Sequence, residues 1–374
     1  MITRRRLLVS LGTISACSRR PKAKGFEGLA FVANAGGGAV AAVDLTALAV
    51  VRHVRVQGNP HQVLTRAQLP WVFAVMPDTA TVSAVDPSAL RVQAQRRLPV
   101  TPGWSYLEPA GGRLWVLASS SPRVVAVRTK GLEIERTVEL PHPGVDVDFG
   151  PSGSPSEGLA AVSLGDGGEV VVFDTATGRL ERRIKVEGKL GSVRFRRDGR
   201  QLLIANRSER EMAVYDLRHH RLVVRLPLAV SPDLCSMKGD GGQLFVAGAG
   251  ADAVVTVYPY QTEVGSITLA GRAPGFLATS EAPDYLFVTN PQSDGVTIVN
   301  IATQKVLAVA SVGKAPCFVA ITPNNEYALV LNRQSGDIAV LHIGSMTARR
   351  TKSIPLLTMI PVGSEPVSAV VRAV

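Results

Sequence analysis

Apolar runs in this chain end on a recurring residue pair: Val43-Asp44, Val85-Asp86, Val127-Arg128, Phe173-Asp174, Tyr215-Asp216, Val257-Tyr258, Val299-Asn300 and Leu341-His342. The spacing is 42 residues, broken once by a spacing of 46. Self-similarity at a period of roughly 20–50 residues marks a repeat architecture, and nothing else in the sequence constrains the fold as strongly.

Each unit fills out in the same way. A run such as LFVTN (286–290), LLIAN (202–206) or ALVLN (328–332) precedes the anchor pair, with an Asn ten residues before its last residue. A run such as VLAVASV (306–312) follows it. Pro60, Pro102, Pro232, Pro274 and Pro316 then fall sixteen residues past their anchors and open a fourth run such as CFVAIT (317–322). Asp198-Gly199, Asp240-Gly241 and Asn324-Asn325 supply residues that tolerate positive φ where hairpins need them. Four antiparallel strands per 40–45 or so residues is the pattern of a β-propeller blade. The composition agrees: 46% hydrophobic but only 5% aromatic, with 35 Gly and 24 Pro, suits many short strands punctuated by turns.

A single blade cannot bury both of its faces, so the ring must close. The first repeat begins at Leu29 with a second strand and lacks a first. The C-terminal GSEPVSAVVRAV (363–374) repeats GKAPCFVAI (313–321) and supplies a first strand. First strands beginning at 61, 103, 145, 191, 233, 275, 317 and 367 give eight blades, with residues 366–372 expected to pair with 29–34. The expectation is an all-β, eight-bladed β-propeller over 28–374, with seven blades as the runner-up.

LFVTN, LFVAG and LLIAN, with the VG-x-x-P approach to the first strand, resemble the repeats of YVTN β-propellers. The resemblance covers about residues 28 to 374 and implies an exported or surface bacterial propeller. It says little about function, because that family's roles are unsettled.

The N-terminus reads as an address rather than as fold. MITRRRLLVSLGTISAC has a basic start, a short apolar stretch from Leu7 to Ala16, and then Cys17. Thr3-Arg4-Arg5-Arg6-Leu7-Leu8 resembles a twin-arginine export motif, and Ile14 to Cys17 resembles a lipobox. That assigns 1–16 to a signal peptide and 17–27 to a basic linker with lipid on Cys17. It places the protein outside the cytoplasm, periplasmic or at the cell surface, anchored to a membrane. Cys235 and Cys317 lie outside any CxxC or CxxCH, which excludes a zinc ribbon and c-type haem attachment.

The net charge of +11 needs locating before it means anything. Arg4, Arg5, Arg6, Arg19, Arg20, Lys22 and Lys24 carry +7 of it, ahead of the first acid, Glu27. Within the body, residues 179–225 hold 14 Lys/Arg against 6 Asp/Glu. Propeller topology assigns Arg179, Arg182, Arg183, Arg196, Arg197, Arg200, Arg218 and Arg221 to turns on the bottom face, the face from which the lipidated arm should emerge. Contact with anionic headgroups is the expected use of this patch. Nucleic-acid binding is the least favoured reading, since no aromatics alternate with the arginines.

No HExxH, GxSxG, Walker loop or strand-helix GxGxxG occurs. DVDFGPSGSPSE (146–157) has carboxylates at calcium-loop positions 1, 3 and 12, but Pro151 stands where that loop needs glycine. The segment also holds the one four-residue insertion and reads as a longer first-to-second-strand turn. The top mouth of the channel is the default ligand site, with His61, Trp104, Asp233, Arg272, Lys314 and Cys317 beside it. All but Lys314 have a plainer reading: His61 hydrogen-bonded to a neighbouring blade, Asp233 and Arg272 in inter-blade ion pairs, Trp104 as a plug, Cys317 as a small buried group. The anchor residues Asp44, Asp86, Asp174 and Asp216 read as turn formers. The sequence thus points to a monomeric, non-catalytic binding or scaffold protein, without metal or cofactor, whose small-molecule or protein partner is open. The alternative is a tetrapyrrole carrier or oxidoreductase, by analogy with exported eight-bladed propellers that hold haem d. There His61 would be the axial ligand and Arg272 and Lys314 would meet propionates.

Overall fold

In the computed structural model, residues 26–346 and 355–373 are described, so the expected signal peptide and Cys17 lie outside them. Eight four-stranded antiparallel sheets form a ring, and among the described residues the helices are two 3₁₀ turns, Gly165–Gly167 and Ile343–Ser345. No described helix is long and apolar enough to cross a membrane.

We number the blades from the N-terminus. Blade 1 is closed as expected: Pro366–Ala373 is its inner strand and pairs with Gly28–Asn34, from Gly28 opposite Ala373 to Asn34 opposite Pro366. The inner strands of blades 2 to 8 are Gln62–Leu64, Pro102–Leu107, Asp146–Phe149, Leu190–Phe195, Leu234–Met237, Phe276–Thr279 and Pro316–Ile321. They begin at the top face and run down the channel.

Burial explains the sequence pattern. Second and third strands are covered by neighbouring blades on both faces, so they read as unbroken apolar runs: Tyr285–Asn290 is buried throughout. Outer strands have one wet face and alternate, as Glu263–Leu269 does. The buried side chains fall into eight clusters, one between each pair of adjacent blades, and Trp115 with Phe173 anchors the one between blades 3 and 4.

Local chemistry fixes the turns. Asp44, Asp86, Asp174 and Asp216 each accept hydrogen bonds from backbone N–H groups two or three residues on. Four residues past their anchors, Leu48, Leu90, His220, Thr262 and Gln304 are left-handed and close the turn, and the ladder bulges further along, inside the outer strand, as between the partners of Val43 and Ala42 in blade 1. The glycine before the inner strand also has a steric cause. At Gly363 φ is +120° and a Cβ would lie 2.8 Å from Asn34 Nδ2. That same Asn34 Nδ2 donates to Val362 O at 2.6 Å, joining blade 1 to blade 8.

Candidate functional site

The inner strands leave a channel whose lining is uneven. Blades 3, 4 and 5 together build a charged waist. Tyr106 Oη donates to Asp146 Oδ1 at 2.9 Å from blade 3, and from blade 5 the Val193 N–H (3.0 Å) and the Arg194 guanidinium both meet Asp146 Oδ2. Asp146 is buried, so this carboxylate is fully engaged. Two residues on, Asp148 accepts the Phe195 N–H at 2.7 Å. The segment 146–157 is the lengthened turn expected of it: Glu157 accepts the Gly153 N–H, and Ser156 Oγ donates to Gly199 O on the next blade.

The waist sets the protonation of its members. Burial works against the Arg194 charge, but Asp146 and Asp148 outweigh it and hold the guanidinium above its ordinary range. Burial pushes the Asp148 carboxyl up to about 6, opposed by Arg194 and the Phe195 N–H. Burial also raises Tyr106 well above the usual phenol value and the Cys235 thiol to about 12, so neither is a nucleophile near neutrality.

Above the waist the channel opens into a recess of about 480 Å³, lined by Trp104, Gln62, Tyr106, Asp146, Arg194, Arg207 and Asp233 among others. Trp104 is 58% exposed, so it flanks the mouth rather than plugging it. Asp233 makes the inter-blade ion pair with Arg207 Nε at 2.6 Å and also accepts the Ala249 N–H and the Ser231 hydroxyl. Burial is outweighed there, chiefly by the Ala249 N–H and Arg207, and Asp233 sits below the usual carboxylate value.

His61, Arg272 and Lys314 are exposed on the top face, and none of them lines this recess. The His61 backbone N–H binds Val75 O, and no hydrogen bond of its ring is found among the described residues. Arg272 is in no described ion pair. Cys317 is half-buried, bonds to Pro366 O at 3.3 Å, and burial raises its thiol to about 11. Sequence reasoning missed Tyr106, Asp146, Asp148 and Arg194 as one group. The available signal was polar residues on successive first strands at channel-facing register.

Below the waist, a chamber of about 630 Å³ is lined on one side by Asp148, Arg194 and Phe149 and on the other by Leu234, Met237, Phe276 and Leu277. A second lower recess of about 510 Å³ shares Asp148 and contains Arg66.

On the bottom rim, Arg197, Arg200, Arg218 and Arg221 are exposed and in no described ion pair, and Arg179 is exposed beside Glu181. Arg196 is spent on Asp198, Gln201 and the face of Tyr260. Arg182 and Arg183 lie elsewhere than the turn count places them. They are mid-strand on Leu180–Lys185, the outer strand of blade 4, and Arg183 reaches Glu169 at the upper end of the neighbouring strand.

No protein-family model and no curated protein sequence matches the chain. Its similarity lies in structure. It resembles dihydro-heme d1 dehydrogenase NirN in complex with DHE, with a TM-score of 0.75 at 15% identity over 92% of this chain and 75% of that one. It resembles apo AztD from Citrobacter koseri at 0.69 and 15%, over 92% and 98%. Kuenenia stuttgartiensis hydrazine synthase follows at 0.57 and 16%, over 71% and 88%. At such identities the likeness is one of fold. The chain is an eight-bladed β-propeller.

Proposed function

We propose that this is an exported, lipid-anchored propeller of the YVTN type that binds a ligand at the top mouth of its channel while its bottom face rests on an anionic membrane. One observation carries the reading: the exposed indole and four exposed arginines in no described ion pair occupy opposite faces. Trp104 stands over a polar recess, whereas Arg197, Arg200, Arg218 and Arg221 crown the bottom of blade 5, on the face where the chain reaches Gly28 from its N-terminal arm. A tether at that face holds it within about a Debye length, ~8–10 Å, of the headgroups. Each nearby arginine then contributes on the order of 1 kcal/mol. The Trp104 side stays open to solutes. In the recess, Asp233 is committed to Arg207 and Asp146 to Arg194, an arrangement suited to recognition rather than proton transfer.

Vesicle sedimentation tests the orientation. The Cys17→Ser protein should bind phosphatidylserine vesicles, weaken with salt, and lose most binding when the four arginines become Ser. Trp104→Ala should bind as the parent does. Equal binding by the four-arginine variant refutes the orientation.

The second reading is tetrapyrrole binding. It is supported by the fold shared with the NirN complex and by the flat exposed face of Trp104. It is weakened by the positions of His61, Arg272 and Lys314 outside the recess. A Soret band in the purified protein would favour it over the leading reading.

A further inference from the structure

The lower chamber carries chemistry that the top mouth does not need. Its waist holds two carboxylates, Asp146 and Asp148, against one guanidinium, Arg194, and that guanidinium is committed to Asp146. Asp148 is in no described ion pair, and its hydrogen bond from Phe195 leaves most of the carboxylate's lone pairs unused. The basic groups nearby are otherwise occupied. Lys238 at the chamber floor is paired with Asp240 at 2.7 Å and Asp284 at 3.1 Å, Arg66 donates to Leu107 O at 2.8 Å, and Arg197 donates to Gly239 O at 2.7 Å. Asp148 therefore faces the cavity with no described ion pair of its own and with acceptor capacity to spare. Across from it stands an apolar wall: Leu277 is buried, and the Phe276 ring stacks on Phe318 with centroids 4.4 Å apart.

We infer that the lower chamber is a binding site for a small organic cation, an ammonium group on an apolar body. Asp148 takes the charge, and Met237, Phe276 and Leu277 take the body. A carboxylate beside aromatic faces is the arrangement that recognises ammonium groups, and about 630 Å³ is the size of a small-molecule site. A neutral apolar molecule would leave a desolvated carboxylate without a partner, which is costly.

The site should be pH-dependent. The groups facing Asp148 are Asp146 on its own strand, Tyr106, Arg194, Arg197, Cys235 and Lys238 from neighbouring inner strands or their turns, and Arg66 across the second recess. Of the acidic groups among them, Asp148 is the one that burial raises to about 6, so lowering the pH through that value removes the charge the cation requires.

Isothermal titration calorimetry on the purified protein tests this with n-hexylammonium as probe and n-hexanol and hexanoate as controls. At pH 7.5 the ammonium should bind saturably and the controls should not. Asp148→Asn keeps an acceptor for the Phe195 N–H and should weaken binding at least about 10-fold; lowering the pH to one unit below 6 should weaken it about 10-fold as well. Met237→Lys, which delivers a cation of its own, should abolish binding. Trp104→Ala, at the opposite end of the channel, should bind normally, so failure here is separable from failure at the top mouth. The inference is overturned if Asp148→Asn binds as tightly as the parent, if hexanol binds as well as hexylammonium, or if no saturable binding occurs at millimolar concentration.

Discussion

Blades 2–5 and blades 6–8 share one backbone and differ in chemistry at both ends of the sheet. At one channel-facing register the first group carries Gln62, Trp104, Asp146 and Ser192, and the second Leu234, Phe276 and Phe318. Two residues further, Leu64, Tyr106, Asp148 and Arg194 stand against Ser236, Ala278 and Ala320, so the charge lies in blades 4 and 5. The outer strands repeat the division. Opposite the third residue of each third strand sit Gln95, Thr137, Arg183 and Arg225 in blades 2–5, but Ile267, Val309 and Met359 in blades 6–8. Between these ends, the second and third strands are buried in all eight blades and much alike. The repeat's fold is therefore decided in the middle of the blade. Its inner and outer strands are free to specialise, and here one half of the ring became polar and the other apolar.

The largest expected effect comes from breaking the polar half at its waist. The side chain of Asp146 is 11% exposed and that of Arg194 is 25% exposed. Asp146→Ala strands a buried guanidinium and should cost about 3 kcal/mol in urea denaturation. The same substitution at Asp233, whose partner Arg207 is 54% exposed at the mouth, should cost under about 1 kcal/mol. Equal costs would show that the waist is as wet as the mouth.

Much of this fold was legible in the sequence, and for a physical reason. Strands buried on both faces must be apolar in every blade, so Val43-Asp44 and its seven counterparts recur at a fixed period, and GSEPVSAVVRAV at 363–374 could be matched to its siblings and paired with Gly28–Asn34. The waist was hidden because its bonds run between blades. Tyr106, Asp146 and Arg194 sit on three successive repeats, and the insertion that shifts the period falls just after Asp146, where the two aspartates look like fragments of a calcium loop. Turn counting likewise puts Arg183 on the bottom face, but the β-strand carries its side chain upward to Glu169. The exposed arginines at 197, 200, 218 and 221 needed only topology, and His61 needed a channel geometry that no single repeat contains.

A smaller effect, readable as a pH profile, sharpens the contrast within the polar half. Asp148 titrates at about 6 in the fold against an ordinary value of 3.8. Between those values the folded form holds more protons than the unfolded one, so stability falls as pH rises through that window, and the cost of the ionised form is fully present above it. Asp148→Asn removes that cost. The variant should be more stable than the parent at pH 8, by about 1–2 kcal/mol once channel water is allowed for, and should show no advantage at pH 3.5. A variant less stable than the parent at pH 8 would mean that the Asp148 charge is compensated in the fold.

The smallest effect on stability belongs to the apolar half. Ile267, Val309 and Met359 are 56%, 67% and 40% exposed, on edge strands whose outer N–H and C=O groups have no neighbouring strand among the described residues. Charged side chains on such edges discourage pairing with another chain, and Arg183 and Arg225 supply them in blades 4 and 5. Replacing all three apolar residues with Lys removes no buried contact, so unfolding free energy should move by no more than about 0.5 kcal/mol. Association is where the change should register. In light scattering across a concentration series, the parent should show weak self-association that the triple-Lys protein lacks, while Arg183→Ile should move the parent further toward it. If the triple-Lys protein instead loses several kcal/mol, these side chains are packed rather than free, and the outer strands of blades 6–8 belong with the core instead of the specialised rim.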